Sequence, residues 1–176
     1  MYVCNLSNLV KLVHSDLCEM NGELTKGGKR YFMTFIDDCT RFCYVCLLKT
    51  KDEALHYFKI YKVEVDDQLK RKVKRLRSDR GGEYLSSEFS DFCVEHGIIH
   101  ERTPPYPQFN RIAERKNHTQ TELVNAMLET AGLSKEWWGE AILTACHVLN
   151  RVPTKNKETT PFEKWEKRLN LSYLRT

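Results

Sequence analysis

Between Tyr31 and Leu69 the hydrophobic period of the chain switches from two to about 3.6 residues. Tyr31–Asp37 (YFMTFID) and Phe42–Leu48 are runs of aromatic, branched and other β-prone residues. Only a few residues around Asp38-Cys39-Thr40 separate them, so they read as a hairpin. Asp37 and Asp38 serve its turn. Thr50-Lys51-Asp52-Glu53 then reads as a capping box, with Thr50 as N-cap and Glu53 reaching back. After it, Ala54, Phe58, Tyr61, Val65 and Leu69 recur at three- and four-residue steps, one face of a helix. A chain that makes both a hairpin and an amphipathic helix in succession is neither all-α nor all-β.

The flanking segments extend this pattern. Leu9–Leu17 reads as a buried strand ending in His14-Ser15-Asp16, and Val73–Ser78 as a short strand. Ser86 or Ser87 opens a helix that Gly97 closes, and Ile98–His100 is a last short strand. Thr103-Pro104-Pro105-Tyr106-Pro107 is a loop, because proline lacks the backbone donor. A long helix runs from about Arg111 to Ala131. Ser134 caps a second, with Trp137 and Trp138 as packing residues, and Thr160-Pro161-Phe162-Glu163 is another capping box. The order β-β-β-α-β-α-β-α-α predicts an α/β fold with a five-stranded mixed sheet, three strands antiparallel and two reached through helical crossovers. At 176 residues and 41% apolar content this is one globular domain. No apolar run approaches the roughly 20 residues of a spanning helix, which argues against a membrane protein, and Met1–Val13 does not read as a signal peptide.

Candidate chemistry sits in the carboxylates. Asp16 ends the first strand and Asp79 follows the fourth. Neighbouring parallel strands would put them about 4.8 Å apart, where two carboxylates can share a hard divalent ion. Glu114 leads a polar stripe on the long helix, with Asn117, His118, Thr121 and Asn125, opposite Ile112, Leu123, Ala126 and Met127. Such a stripe is either an active-site wall or a solvated face. The run Lys70–Arg77 holds six cations in a chain of net charge +4 and is either a charged edge or a phosphate-neutralising surface. Seven cysteines, an odd number in a long chain without an export signal, read as reduced thiols. Cys43 and Cys46 lie three apart in a strand and would diverge. Gly97 separates Cys93 and His96 from His100. Neither set reads as a metal site.

HSDLCEM, GGKRYFMTFIDD, LRSDRGGEY, AERKN and WWGEAILTACHVLNRVPTK, in this order, resemble the integrase catalytic core of plant copia-type LTR retrotransposons, part of the Pol polyprotein. The resemblance runs from about Leu9 to Thr176. It implies an RNase H-like fold whose Asp-Asp-Glu triad is Asp16, Asp79 and Glu114, catalytic and metal-binding at once. It further implies two Mg²⁺ or Mn²⁺ ions, and DNA integration by 3′-end processing and strand transfer. Asn117, His118 and Lys116 would meet the DNA end, with Arg71, Lys72 and Lys74 on DNA phosphates. A homodimer or higher oligomer, a nuclear location and no membrane partner also follow from it.

The domain reading is an N-terminal remnant (1–8), the integrase core (9–150) and a C-terminal extension with a short helix (151–176). The chain departs from the family in the loop before Glu114. One residue between Tyr106 and Pro107 is deleted, Arg111 stands where the family has glycine, and 34 residues rather than 35 separate Asp79 from Glu114. The His/Cys zinc module that precedes the core in the family is absent, and the chain stops before the later integrase region. That is expected of a decayed element copy or of an excised fragment. Two alternatives to an active enzyme follow: a catalytically dead or domesticated nucleic-acid-binding module, and a protein-interaction domain built on the aromatic C-terminal helices.

Overall fold

The structure is a computed structural model that describes residues 10–102, 111–153 and 158–166. The expected remnant at 1–8 and the proline loop, with its shortened stretch between Tyr106 and Pro107, lie outside the described residues. Five strands form one sheet: β1 (Leu12–Glu19), β2 (Tyr31–Asp37), β3 (Cys43–Leu48), β4 (Arg75–Ser78) and β5 (Ile99–Arg102). Their order is β3-β2-β1-β4-β5. The pairs β1–β2 and β2–β3 are antiparallel, and β1–β4 and β4–β5 are parallel. This is the expected mixed sheet. β1 is longer than expected at its C-terminal end, so Asp16 lies inside the strand and not at its end; Thr34 of β2 sits opposite it.

The helices are α1 (Ala54–Leu69), α2 (Ser87–Glu95), α3 (Arg111–Ala131), α4 (Trp138–Arg151) and α5 (Pro161–Glu166). Alternation along β2 sends Met33 and Phe35 to one face of the sheet and Phe32 and Ile36 to the other. On the first face they join Ala54, Phe58, Tyr61 and Val65 of α1 and Phe89 of α2. Phe35 stacks on Tyr61 at 4.5 Å between ring centroids, and Phe58 stacks on Phe89 at 5.4 Å. On the second face α3 and α4 supply Val124, Leu128, Trp138 and Ile142. Trp138 also donates its indole N–H to the Glu23 carbonyl at 3.0 Å, tying α4 to the β1–β2 connection.

The caps hold in part. Thr50 makes no side-chain cap bond and leads into a short 3-10 turn, while Glu53 accepts from the backbone N–H of Lys49 at 2.6 Å. Ser86 caps α2, accepting from Phe89 N–H. Thr160 and Glu163 form the full reciprocal box, and α5 then lays Trp165 on Phe42 at 4.6 Å. Asp37 anchors the hairpin turn, accepting from Thr40 N–H and Oγ1 and from Val10 N–H.

The cysteines follow strand geometry. Cys43 packs toward α3 and α4, whereas Cys46 packs toward α1, so the pair diverges as expected. The expectation of seven reduced thiols is corrected at Cys39, which is disulfide-bonded. Parity and spacing do not show which thiols meet in space. Cys18, Cys43, Cys46, Cys93 and Cys146 are free.

Candidate active site

The parallel register of β1 and β4 pairs Leu12 with Arg75, Val13 with Leu76 and His14 with Arg77. Two residues further along both chains are Asp16 and Asp79, on the same side of the sheet by alternation. β4 ends at Ser78, so Asp79 heads the turn that follows, and its Oδ1 accepts from Gly81 N–H at 3.0 Å. A β-carbon on Gly81 would meet only the Glu83 carboxylate, at 2.6 Å, the far end of a flexible side chain that can move aside.

Asp16 is half-buried, and its pKa is raised to about 6, first by burial and then by the charge of Asp79, with a smaller contribution from Glu114. Opposing this, Asn117 Nδ2 donates to Asp16 Oδ2 at 2.8 Å. The same amide lies 3.2 Å from Cys18 Sγ, and the Cys18 thiol sits 3.7 Å from Asp16 Oδ2. Burial and the adjacent Asp16 charge push that thiol to about 12, so it remains protonated.

Helix α3 presents the remaining candidates. Its buried seam is Ala113, Asn117, Gln120, Val124 and Leu128. This corrects the expected apolar stripe: Ala126 is exposed, and Asn117, expected on a polar face, is 4% exposed. Gln120, fully buried beside Cys43, is a polar core residue that hydrophobic patterning does not reveal. Glu114 is exposed in the first turn of α3, and His118 is exposed and pairs with Glu122 at 3.3 Å. Lys116 is half-buried on the side of Cys43 and Cys146.

Asp16, Asp79 and Asn117 are thus brought together. Glu114 reaches Asp16 electrostatically, but among the described residues no three His, Cys, Asp or Glu side chains lie close enough to hold one metal ion. The Asp16–Asp79 pair itself offers hard oxygen donors, and Mg²⁺ is usually bound by one or two carboxylates with water and substrate phosphate completing its shell. The donor set therefore fits one such ion. Arg71, Lys72 and Lys74 are exposed before β4, at the end of the sheet away from Asp79. Cys93 is buried, His96 is exposed and His100 bonds to Ser78, so these three do not form a site.

The integrase core domain model matches residues 10–107. The chain is 49% identical over 148 residues to the retrovirus-related Pol polyprotein from transposon TNT 1-94 of Nicotiana tabacum, covering 84% of this chain and 11% of that polyprotein. It is 33% identical over 160 residues to the retrovirus-related Pol polyprotein from transposon RE2 of Arabidopsis thaliana, covering 90% of this chain and 11% of that one. The chain spans about 11% of the length of these relatives. In fold it matches the HTLV-2 integrase catalytic core domain in complex with magnesium (trimeric form), with a TM-score of 0.64 and 20% identity, covering 86% of this chain and 93% of that one. Among the described residues no helix is long and apolar enough to cross a membrane.

Proposed function

The chain belongs to the integrase core domain family, and on that premise we propose that it performs DNA integration by metal-dependent phosphoryl transfer. The reaction pair is trimming of an element's 3′ ends and joining of those ends to target DNA. Asp16, Asp79 and Glu114 are its catalytic carboxylates. The observation that carries this reading is the β1–β4 register, which aligns Asp16 with Asp79 beside the start of the strand-covering helix α3. A divalent ion on this pair would supply Lewis acidity toward a phosphoryl oxygen and a lowered pKa for bound water. The magnesium of the HTLV-2 core supports the choice of Mg²⁺, with Mn²⁺ as its substitute.

The protein's own groups have distinct tasks in this reading. Asn117 fixes one oxygen of Asp16, and the Gly81 amide fixes one oxygen of Asp79, leaving the other oxygens to face an ion. Glu114, in the first turn of α3 and within electrostatic reach of Asp16, would be the third carboxylate donor, toward a second ion. His118 and Lys116, on the same helix, contact the DNA end, whereas Asn117, buried against Asp16, holds that carboxylate instead of meeting DNA. The partners are element-end DNA and target DNA, in a copia-type element, by a homodimer or larger oligomer acting in the nucleus.

A branched DNA that mimics the joined product, incubated with Mg²⁺ or Mn²⁺, tests the reading. Cleavage that disappears in both Asp79→Asn and Glu114→Gln supports it. The exposure of Glu114 and the absence of a three-carboxylate cluster among the described residues favour a second reading, a non-catalytic nucleic-acid-binding module. In that case the folded chain binds the branched DNA without cutting it.

A further inference from the structure

Cys43 opens β3 and Cys146 lies on α4, 103 residues later, yet the two side chains meet in one buried cluster with Ile36 and Ala113. The Cys146 thiol donates to the Cys43 carbonyl at 3.2 Å, and the two thiols also act on each other. Asn150, one helical turn after Cys146, fixes this meeting. Its Oδ1 accepts from Cys43 N–H at 2.9 Å and its Nδ2 donates to the Cys43 carbonyl at 2.8 Å. The amide thus pairs with edge strand β3 as a further strand would.

The surroundings are polar for a buried sulfur pair. Gln120 Nε2 lies 3.7 Å from Cys43 Sγ, Asn150 Nδ2 lies 3.7 Å from Cys146 Sγ, and the Lys116 charge acts on both. The Cys43 hydrogen bond, assisted by Lys116, lowers the Cys146 thiol below its usual value, while burial keeps Cys43 protonated. The other free thiols go the opposite way: burial pushes Cys18 and Cys46 to about 12 and Cys93 to about 11. A cavity of about 220 Å³ between β3, α4 and α5 is lined by Cys43, Cys146, His147 and Phe162 among others. It gives a small solute a way to sulfurs whose residues are only 1% and 7% exposed.

We propose that Cys146 and Cys43 form a hydroperoxide-reactive dithiol, with Cys146 as the attacking thiol and Cys43 as the resolving one. The Cys146 sulfur attacks one peroxide oxygen, the O–O bond breaks, and the other oxygen leaves as water with the Cys146 proton. This makes a sulfenic acid on Cys146. The Cys43 sulfur then attacks that sulfur, the S–O bond breaks, and the hydroxyl leaves as water with the Cys43 proton. Two electrons pass from the thiols to the peroxide, and one disulfide forms. The new bond ties β3 to α4 at the point where Asn150 already holds them, and it removes the negative charge that Lys116 meets. None of this depends on the chain acting on DNA.

Peptide mapping of the reduced full chain tests the proposal. The folded protein is treated with hydrogen peroxide, its remaining thiols are alkylated in denaturant, and the digest is read by mass spectrometry. A peptide linked through Cys43 and Cys146 is expected, formed about tenfold or more faster than Cys18, Cys46 or Cys93 is oxidised. The oxidised chain is expected to melt higher than the reduced one. In Cys43→Ser, dimedone is expected to capture a sulfenic acid on Cys146, whereas Cys146→Ser should leave Cys43 open to alkylation. Oxidation of Cys146 no faster than that of Cys93 overturns the proposal, and so does a linked peptide that forms only in denaturant. Dimedone capture on Cys43 in Cys146→Ser overturns the assigned roles. Should a serine variant fail to fold, the peptide map of the parent chain decides alone.

Discussion

Asn117, on α3, donates from Nδ2 to Asp16 Oδ2 of β1 at 2.8 Å across 101 residues of sequence, while its own Oδ1 is buried without a partner among the described residues. The bond favours the charged form of Asp16 against burial and Asp79. Asn117→Ala is therefore expected to move the Asp16 pKa further above 6, readable as a shifted carboxyl resonance in an NMR titration. A hydrogen bond to a charged group is worth about 1.5–3 kcal/mol, so the variant should also lose stability on that scale at neutral pH. An unmoved Asp16 titration would show that Asn117 merely fills space.

Burial and Asp79 make Asp16 costly to ionise, and that cost depends on pH. Its folded pKa of about 6 lies above the usual 3.8, so the native state holds the proton more tightly than the unfolded chain. Stability then falls as pH rises from about 4 to 6 and stays lower above that. The shift corresponds to roughly 3 kcal/mol at most. Asp16→Asn is expected to melt higher than the parent at pH 8, with the difference closing toward pH 4. A constant difference across that range would contradict the assignment.

His100 works in the opposite direction. It belongs to β5, and its side chain reaches Ser78 of β4, with Nε2 2.9 Å from Ser78 Oγ, and Phe89 of α2, with the two rings 5.3 Å apart. Burial, assisted by Arg102, lowers its pKa to about 4. The unfolded chain takes up a proton near 6.5 and the folded chain resists, so stability falls on acidification from 6.5 to 4. His100→Gln is expected to flatten this limb of the melting-temperature profile. Asp16 masks part of it, so the limb should be steeper in Asp16→Asn than in the parent.

Much of this arrangement was legible in the residues. The β2–β3 hairpin, the apolar face of α1 and the Thr160–Glu163 box depend on local periodicity and capping, which a sequence displays directly. The alignment of Asp16 with Asp79 was legible only through the assumption that β1 and β4 are parallel neighbours. The reach of β1 to Glu19 was not, since Cys18 and Glu19 gain strand conformation by pairing with β2. Nor were the buried amides of Asn117 and Gln120, because polar residues in a helix read as solvent-facing until the sheet beneath is known. The basic run looked like a single feature. The fold divides it into Arg75 and Arg77 on Glu101 and four cations at the far end of the sheet.

The α5 cap offers a test of how firmly the C-terminal helix holds. Thr160 N–H and Oγ1 both bond to Glu163, and the helix so started places Trp165 at 3% exposure against Phe42, with Arg151 3.9 Å over the Phe162 ring. Thr160→Ala removes one cap and is expected to cost about 1 kcal/mol. Local fraying of α5 should show as a red shift and increased quenching of Trp165 fluorescence before the main melt, read in a Trp137→Phe, Trp138→Phe background if that variant folds and otherwise by hydrogen exchange of α5. Coincident loss of α5 and the core would mean that the helix is an integral part of the unfolding unit.

Metal binding can be separated from catalysis by stability alone. An ion that binds only the folded chain stabilises it by RT ln(1 + [L]/Kd), about 2.7 kcal/mol at a hundredfold excess over Kd. For a domain of this size that is a rise of roughly 5–10 °C in melting temperature. Mg²⁺ is expected to produce such a rise in the parent chain above pH 6, where Asp16 is ionised, and much less at pH 5, where the proton competes with the ion. The rise should vanish in Asp16→Asn and Asp79→Asn, which lose the aligned pair. Glu114→Gln should keep most of it, because Glu114 stands exposed and apart from that pair. Equal loss in all three variants would instead mean that Glu114 closes on the aspartates as soon as an ion arrives, so that the three carboxylates bind as a unit.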